Sequence, residues 1–176
     1  SGGSLFKSTK TGTTTLWVAD AGCASGLRAL PSGDVVCNGY ATFIRVDKAT
    51  GTKTVVATSL DYPNGIEIDH EGLAYVSEQN SGEVTRIDPY SGATSTIASG
   101  LSNPNGMSFS PDYKTLYIGS FCGGYIYKVT FDDAGNPTAT TEIYDPKTRT
   151  ISAGPALNTA RARHTAVLLD TNDVAI

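Results

Sequence analysis

Pro63-Asn64-Gly65-Ile66 recurs about 41 residues later in the chain as Pro104-Asn105-Gly106-Met107. The same spacing relates Arg45-Val46-Asp47 to Arg86-Ile87-Asp88, so the repeat extends well beyond the first motif. Internal repeats of 20–50 residues indicate an array of supersecondary units that bury their apolar faces against one another. The sequence therefore predicts a repeat fold built from units of about 40 residues.

Each unit is predicted to form four short strands. In the unit that starts at Asn64 they are Ile66–Asp69, Leu73–Ser77, Glu83–Asp88 and Ala93–Ala98. β-Branched and aromatic residues fill these runs, and the turns between them are rich in Gly, Asn, Pro and Asp. A single four-stranded sheet cannot bury both of its faces, so the units are expected to stack radially. The predicted fold is all-β, a β-propeller of four-stranded antiparallel blades.

The strands amount to about four blades, with partial blades at both ends of a single repeat domain that spans the chain. Closed propellers usually carry about 4–8 blades, so this chain lies at the lower limit. We therefore expect a second copy of the chain, as a homo-oligomer, or further blades to complete the ring. The predicted boundaries are a partial blade at 1–22, blades at 26–62, 64–103 and 105–137, and a partial blade at 138–176.

Two family resemblances accompany the repeat. The stretch Asn105-Gly106-Met107-Ser108-Phe109-Ser110-Pro111-Asp112-Tyr113-Lys114-Thr115-Leu116-Tyr117 resembles the blade signature of calcium-dependent propeller lactonases, the gluconolactonase and senescence-marker-protein superfamily. This resemblance covers roughly residues 27–129, and no Trp-Asp dipeptide closes a blade as in WD40 proteins. Residues from about 138 to 176 are similar to a bacterial kelch repeat.

The lactonase resemblance implies a metal site. In that superfamily, asparagine and acidic side chains at the channel mouth of successive blades ligate one calcium ion, and oxygen donors suit this ion. Asn64 and Asn105 match two of these positions, whereas Ser25 stands at the corresponding place in the first unit. The alternative is structural, because Asn-Gly pairs also form the turns that enter strands. Two neutral amides are too few for a complete calcium site.

Other polar residues are weaker candidates. His164 enters the last predicted inner strand, at 162–176, and is the one catalytic candidate, although the kelch resemblance implies a structural role for it. Asp20 and Glu78 are carboxylates that we expect to be solvated loop charges. His70 lies in a polar turn and is expected to be exposed. No Gly-x-Ser-x-Gly nucleophile motif occurs.

Two functions follow from this pattern. The first is a non-catalytic propeller module that acts as a scaffold or binding surface, since the ligand set is incomplete. The alternative is a calcium-dependent lactonase or esterase in which Asn64 and Asn105 hold the ion. Calcium-dependent hydrolysis of a simple lactone would separate the two.

Charge and composition exclude several classes of partner. The formal net charge is −4 and the pI is about 5.0, which argues against binding to nucleic acid or to anionic lipid. No apolar run approaches the roughly 20 residues that a membrane-spanning helix needs. We therefore expect neither a nucleic-acid partner nor a membrane span.

The three cysteines, Cys23, Cys37 and Cys122, leave an odd thiol whichever two of them pair. A Cys23–Cys37 bridge would leave Cys122 free or bonded to another chain, and the alternative is three buried small side chains. The low lysine content and the abundance of Thr, Ser and Gly favour an extracellular or periplasmic protein.

Overall fold

The computed structural model describes residues 3–156, and within that range it contains fifteen β-strands and no helix. β-Branched residues and alternating burial along the strands account for this all-strand composition. The strands are β1 (Gly3–Ser8), β2 (Thr14–Cys23), β3 (Ser25–Ala29), β4 (Val35–Asn38), β5 (Thr42–Val46), β6 (Lys53–Thr58), β7 (Pro63–Ile68), β8 (Ala74–Glu78), β9 (Glu83–Ile87), β10 (Thr94–Ala98), β11 (Pro104–Phe109), β12 (Thr115–Ser120), β13 (Ile126–Phe131), β14 (Pro137–Asp145) and β15 (Thr150–Ala156).

The strands form four antiparallel sheets in which sequence neighbours pair. The first sheet contains only β1 and β2, whereas β3–β6 and β7–β10 each form a four-stranded sheet in chain order. This confirms the all-β, propeller-type prediction. The four strands expected after Asn64 correspond to β7–β10 within one residue at each end, except that β7 begins three residues earlier than predicted, at Pro63.

The last sheet differs from the prediction. It contains five strands in the order β11-β12-β13-β14-β15, so the blade does not end at residue 137 and no separate partial blade begins at 138 within the described residues. Thr130 pairs with Thr138 and Lys128 pairs with Glu142, which makes β14 the fourth strand of the same sheet. A shift of register between these pairs lengthens β14 and hides its relation to the earlier units. The predicted inner strand after residue 160 lies outside the described residues.

The first strands of successive sheets face one another, because β7 contacts both β3 and β11. This is the inner-strand arrangement of a propeller, and it leaves apolar clusters between neighbouring sheets. One cluster around Val129 and Leu116 lies between the last two sheets, and a second around Phe43 and Val76 lies between the two sheets before them. Completion of the ring by a second copy or by further blades stays a prediction.

A disulfide between Cys23 and Cys37 joins β2 to β4 and so ties the two-stranded sheet to the first complete blade. Cys122 is a free, exposed thiol in the turn between β12 and β13. Among the described residues, no helix has the length and apolar character needed to cross a bilayer.

Candidate functional site

The residues matched to the calcium site lie at the starts of neighbouring inner strands. Asn64 is the second residue of β7 and Asn105 is the second residue of β11, and Ser25 begins β3. Both asparagines are half-buried. Because β7 contacts β3 and β11, these three positions come together at one end of the inner strands.

The glycine after each of these residues permits a close approach of the inner strands. A Cβ on Gly26 would lie 2.4 Å from the backbone oxygen of Asn64, and one on Gly65 would lie 2.1 Å from the backbone oxygen of Asn105. Real Cβ atoms do not come so close to a carbonyl oxygen, so only glycine fits. Asn64-Gly65 therefore lies within a strand, and the alternative that this pair forms a turn is wrong.

Polar side chains on the second strand of each blade hold the asparagine backbone of the next blade. Asn38 Nδ2 on β4 donates to the carbonyl of Asn64 at 2.9 Å, and Ser77 Oγ on β8 donates to the carbonyl of Asn105 at 2.7 Å. Ser77 Oγ also accepts the N–H of Gly65 at 2.8 Å. Neither residue was predicted from the sequence to belong to the site, although the two occupy equivalent positions in their repeats.

The Asn64 side chain has a defined orientation. Its Nδ2 donates to Gln79 Oε1 at 3.1 Å, which leaves the amide oxygen to accept a further partner. Nearby, Asn38 Oδ1 is a buried acceptor with no hydrogen-bond partner among the described residues. The end of the inner strands thus offers amide oxygens, which are the donors that a hard cation such as calcium prefers.

The carboxylates near this end do not supply further oxygen ligands beside those amides. Glu78 is buried rather than solvated, which corrects the expectation for this residue, because its two oxygens accept the N–H of Asp61 at 2.7 Å and the hydroxyl of Thr85 at 2.5 Å. Asp20 is exposed, as expected, but it lies within β2 and not in a loop. Glu78 therefore holds the loop before β7 in place.

The donor set fits calcium only in part. Two amide oxygens from neighbouring blades suit the ion, but calcium takes six to eight oxygen ligands. Within residues 3–156, no group of three or more His, Cys, Asp or Glu side chains is placed to hold a metal ion. His164, the predicted catalytic candidate, lies outside the described residues, whereas His70 is exposed and its ring lies 5.3 Å from that of Tyr113.

Comparison with known proteins gives one family and several related folds. A family model described as the SMP-30/gluconolactonase/LRE-like region matches residues 8–155. A search of curated protein sequences found no match.

Solved structures with the same fold include three enzymes at low sequence identity. A gluconolactonase from Xanthomonas campestris aligns with a TM-score of 0.67 and 20% identity, over 77% of this chain and 53% of that one. Virginiamycin B lyase from Staphylococcus aureus, solved with quinupristin, aligns with a TM-score of 0.61 and 16% identity, over 86% of this chain and 62% of that one. A luciferin-regenerating enzyme aligns with a TM-score of 0.57 and 17% identity, over 76% of this chain and 48% of that one. The chain thus spans less than two thirds of each of these proteins.

Proposed function

Because the chain belongs to the SMP-30/gluconolactonase/LRE-like family, we propose that it forms part of a calcium-dependent hydrolase that opens lactones or cleaves esters. The observation that carries the proposal is the pair of asparagines, Asn64 and Asn105, at the same position of adjacent inner strands. The gluconolactonase with which the chain aligns supports a lactone as substrate. The non-catalytic module has no comparable support.

The chain's own residues position the two amides. Asn38 and Ser77 hold the backbone carbonyls of Asn64 and Asn105 in place. Gln79 orients the side-chain amide of Asn64 by accepting a hydrogen bond from its nitrogen. A ligand that is already oriented loses less conformational freedom when it binds an ion. We therefore assign Asn64 and Asn105 as ligands, and Asn38, Ser77 and Gln79 as positioning residues.

A bound calcium ion would polarise the substrate carbonyl and lower the pKa of an attacking water. The remaining ligands, carboxylates above all, are proposed to come from blades beyond those described or from a second copy of the chain. This fits the length of the chain relative to its structural neighbours, since it covers 53% of the gluconolactonase. It also fits the pI of about 5.0, which favours cations.

The test combines metal binding with turnover. Calcium is titrated into the metal-free chain by calorimetry, and hydrolysis of δ-gluconolactone is followed with and without a chelator. We expect binding and turnover that the chelator abolishes, and we expect Asn105→Ala to weaken calcium binding at least about tenfold. Asn136→Ala is the matched control, because this exposed asparagine lies in the turn between β13 and β14, at the opposite end of the sheet from Asn105.

Two results would reject the hydrolase. Turnover that is unaffected by both the chelator and Asn105→Ala would show that the asparagines hold no catalytic ion. The second result is a longer chain, with a full ring of blades, that neither binds calcium nor opens any lactone. That result would favour a scaffold or binding module instead.

We also propose an extracellular or periplasmic location. The Cys23–Cys37 disulfide supports it, because disulfides persist in oxidising compartments and are rare in the cytosol. Quantifying free thiols in protein isolated under alkylating conditions tests this: one thiol per chain is expected, and three would contradict the proposal.

A further inference from the structure

Three asparagine–glycine pairs occur in the chain: Asn38-Gly39, Asn64-Gly65 and Asn105-Gly106. Such a pair can react internally, because the backbone nitrogen of the glycine can attack the side-chain carbonyl carbon of the asparagine. Glycine has no Cβ to hinder this approach. The attack requires the backbone to rotate, so the surroundings of each pair decide whether it reacts.

The first pair, Asn38-Gly39, is held by hydrogen bonds and by burial. Asn38 is fully buried, and its Nδ2 donates to the carbonyl of Asn64 at 2.9 Å. The N–H of Gly39 donates to the carbonyl of Thr42 at 2.8 Å. Both the amide and the attacking nitrogen are therefore engaged with other groups.

The second pair, Asn64-Gly65, is held at three points. Asn64 Nδ2 donates to Gln79 Oε1 at 3.1 Å, and the N–H of Gly65 donates to Ser77 Oγ at 2.8 Å. A Cβ on Gly65 would lie 2.1 Å from the backbone oxygen of Asn105, so the neighbouring strand leaves no space on that side. Rotation of this pair would break both hydrogen bonds and push the backbone against β11.

The third pair, Asn105-Gly106, has no counterpart of Ser77. Gly119 stands at that position, because Ser77 and Gly119 are each the residue opposite the register shift of their inner strand. Glycine has no hydroxyl, so this position cannot accept the N–H of Gly106. One of the contacts that hold the second pair is therefore missing from the third.

The third pair also has no counterpart of Gln79. The N–H of Gln79 donates to the carbonyl of Tyr62 at 3.1 Å, and that of Phe121 donates to the carbonyl of Asn103 at 2.9 Å. Tyr62 and Asn103 each lie two residues before the asparagine of their pair, so Phe121 is equivalent to Gln79. A phenyl ring has no oxygen to accept the amide N–H of Asn105.

The space around Gly106 differs as well. Gly106 is exposed, and a Cβ there would have no described atom within 4 Å. The backbone carbonyl of Asn105 accepts from Ser77 Oγ at 2.7 Å, but the carbonyl of Asn64 has an equivalent bond from Asn38, so this contact does not distinguish the two pairs. The third pair alone combines access to water with room for the backbone to rotate.

We propose that Asn105 is a site of spontaneous deamidation, whereas Asn38 and Asn64 remain amides in the folded chain. The nitrogen of Gly106 loses its proton to water and bonds to Cγ of Asn105. The bond from Cγ to Nδ2 breaks, and Nδ2 takes up a proton and leaves as ammonia. Water then opens the cyclic succinimide at either of its carbonyls and gives aspartate or isoaspartate. The net change is an amide and water to a carboxylate and ammonium.

Deamidation adds a negative charge at the end of the inner strands, beside Asn64. Its effect on calcium rests on the proposed function. Calcium affinity depends on the charge of the ligands, and the aspartate product has the shape of asparagine, so it supplies a charged ligand at the same place. Isoaspartate inserts a methylene group into the backbone of β11 and displaces the ligand.

The test follows the full 176-residue chain by peptide mapping and mass spectrometry, which detect the replacement of NH₂ by OH at each asparagine. We expect deamidation of Asn105 to be at least about tenfold faster than that of Asn38 and Asn64, which react only after local opening of the structure. In urea the three rates should become similar, since glycine follows each asparagine. The rate at Asn105 should rise from neutral to mildly alkaline pH, because the Gly106 nitrogen must lose a proton.

Gly119→Ser with Phe121→Gln gives the third pair the side chains that hold the second. A Cβ on Gly119 would lie 3.6 Å from the backbone oxygen of Gly106, which is an ordinary contact, so serine fits. We expect this double variant to deamidate at Asn105 at least about fivefold more slowly. Tyr40→Gln is the matched control: it replaces an exposed aromatic residue in the turn between β4 and β5, and the rate should not change.

Three outcomes would overturn the proposal: equal rates at Asn64 and Asn105 in the folded chain, an intact Asn105 when the chain in urea has reacted, or an unchanged rate in a double variant that circular dichroism shows to be folded. Calcium titration of Asn105→Asp separates this proposal from the hydrolase. We expect about tenfold tighter binding than in the natural chain. Deamidation at Asn105 without that gain would count against the calcium ligand and not against the modification.

Discussion

Two interfaces between blades, one between β3–β6 and β7–β10 and the other between β7–β10 and β11–β15, are alike at one end and different at the other. At the inner-strand end, each has a glycine against the asparagine carbonyl of the next blade and a polar side chain bonded to that carbonyl. At the far end, Arg45 is enclosed by Asp34 and Tyr90, whereas Arg86 faces a cavity. The comparison indicates that the inner-strand end is set by backbone packing, which leaves little freedom, and that the far end is free to vary.

The inner-strand end should be the most sensitive part of the molecule. A Cβ at position 65 would lie 2.1 Å from a backbone oxygen that no rotamer change can move. We therefore expect Gly65→Ala to lower the free energy of unfolding by at least about 3 kcal/mol, at the upper end of the overpacking range. Urea denaturation followed by circular dichroism measures this loss.

Gly106→Ala is the matched control for that change. Gly106 follows Asn105 as Gly65 follows Asn64, but a Cβ there meets no described atom within 4 Å. We expect it to alter the free energy of unfolding of this chain by less than about 0.5 kcal/mol. Equal losses at the two positions would contradict the assignment of Gly65 to strand packing.

Asp34→Leu gives the first of these interfaces the residue that stands at the equivalent position of the second, Leu73. Arg45 would lose its carboxylate while its side chain remains largely enclosed, and its Nε already lacks a partner. We expect a loss of about 2–3 kcal/mol, below the range for a fully buried pair because Arg45 keeps some contact with solvent. Chemical denaturation at neutral pH measures it.

The sequence predicted the parts of this molecule that repeat. The spacing between the two Pro-Asn-Gly motifs placed Asn64 and Asn105 at equivalent positions of neighbouring blades, as the structure shows. The repeat also gave the limits of β8, β9 and β10 to within one residue. It failed at β14, where a register shift and a shorter turn remove the regular spacing.

The contacts between blades could not be predicted in the same way. Asn38 and Ser77 bind backbone carbonyls of residues that lie 26 and 28 positions away. Every residue has a backbone carbonyl, so the sequence does not indicate which of them accepts a side-chain hydrogen bond. Arg45 has a carboxylate partner in Asp34, whereas Leu73 stands at the equivalent position beside Arg86. That difference has meaning only once the structure shows that the two positions lie beside equivalent arginines.

Tyr75→Phe, at the interface between β7–β10 and β11–β15, has the smallest expected effect on stability at neutral pH. Burial, with a further contribution from the nearby Asp69 carboxylate, raises the pKa of Tyr75 from 10.0 to about 12. Below pH 10 the tyrosine is neutral in both folded and unfolded states, and removal of its hydroxyl bond to Asp69 should cost about 1 kcal/mol.

Between pH 10 and 12 only the unfolded state ionises, so the natural chain should lose up to about 3 kcal/mol that the variant keeps. The variant should therefore become the more stable of the two near pH 12, as measured by denaturation across this range, whereas Tyr40→Phe, at an exposed position, should not reverse the order. Parallel loss in the natural chain and in Tyr75→Phe would mean that the Tyr75 hydroxyl is open to solvent and that the wall of the cavity is not closed on this side.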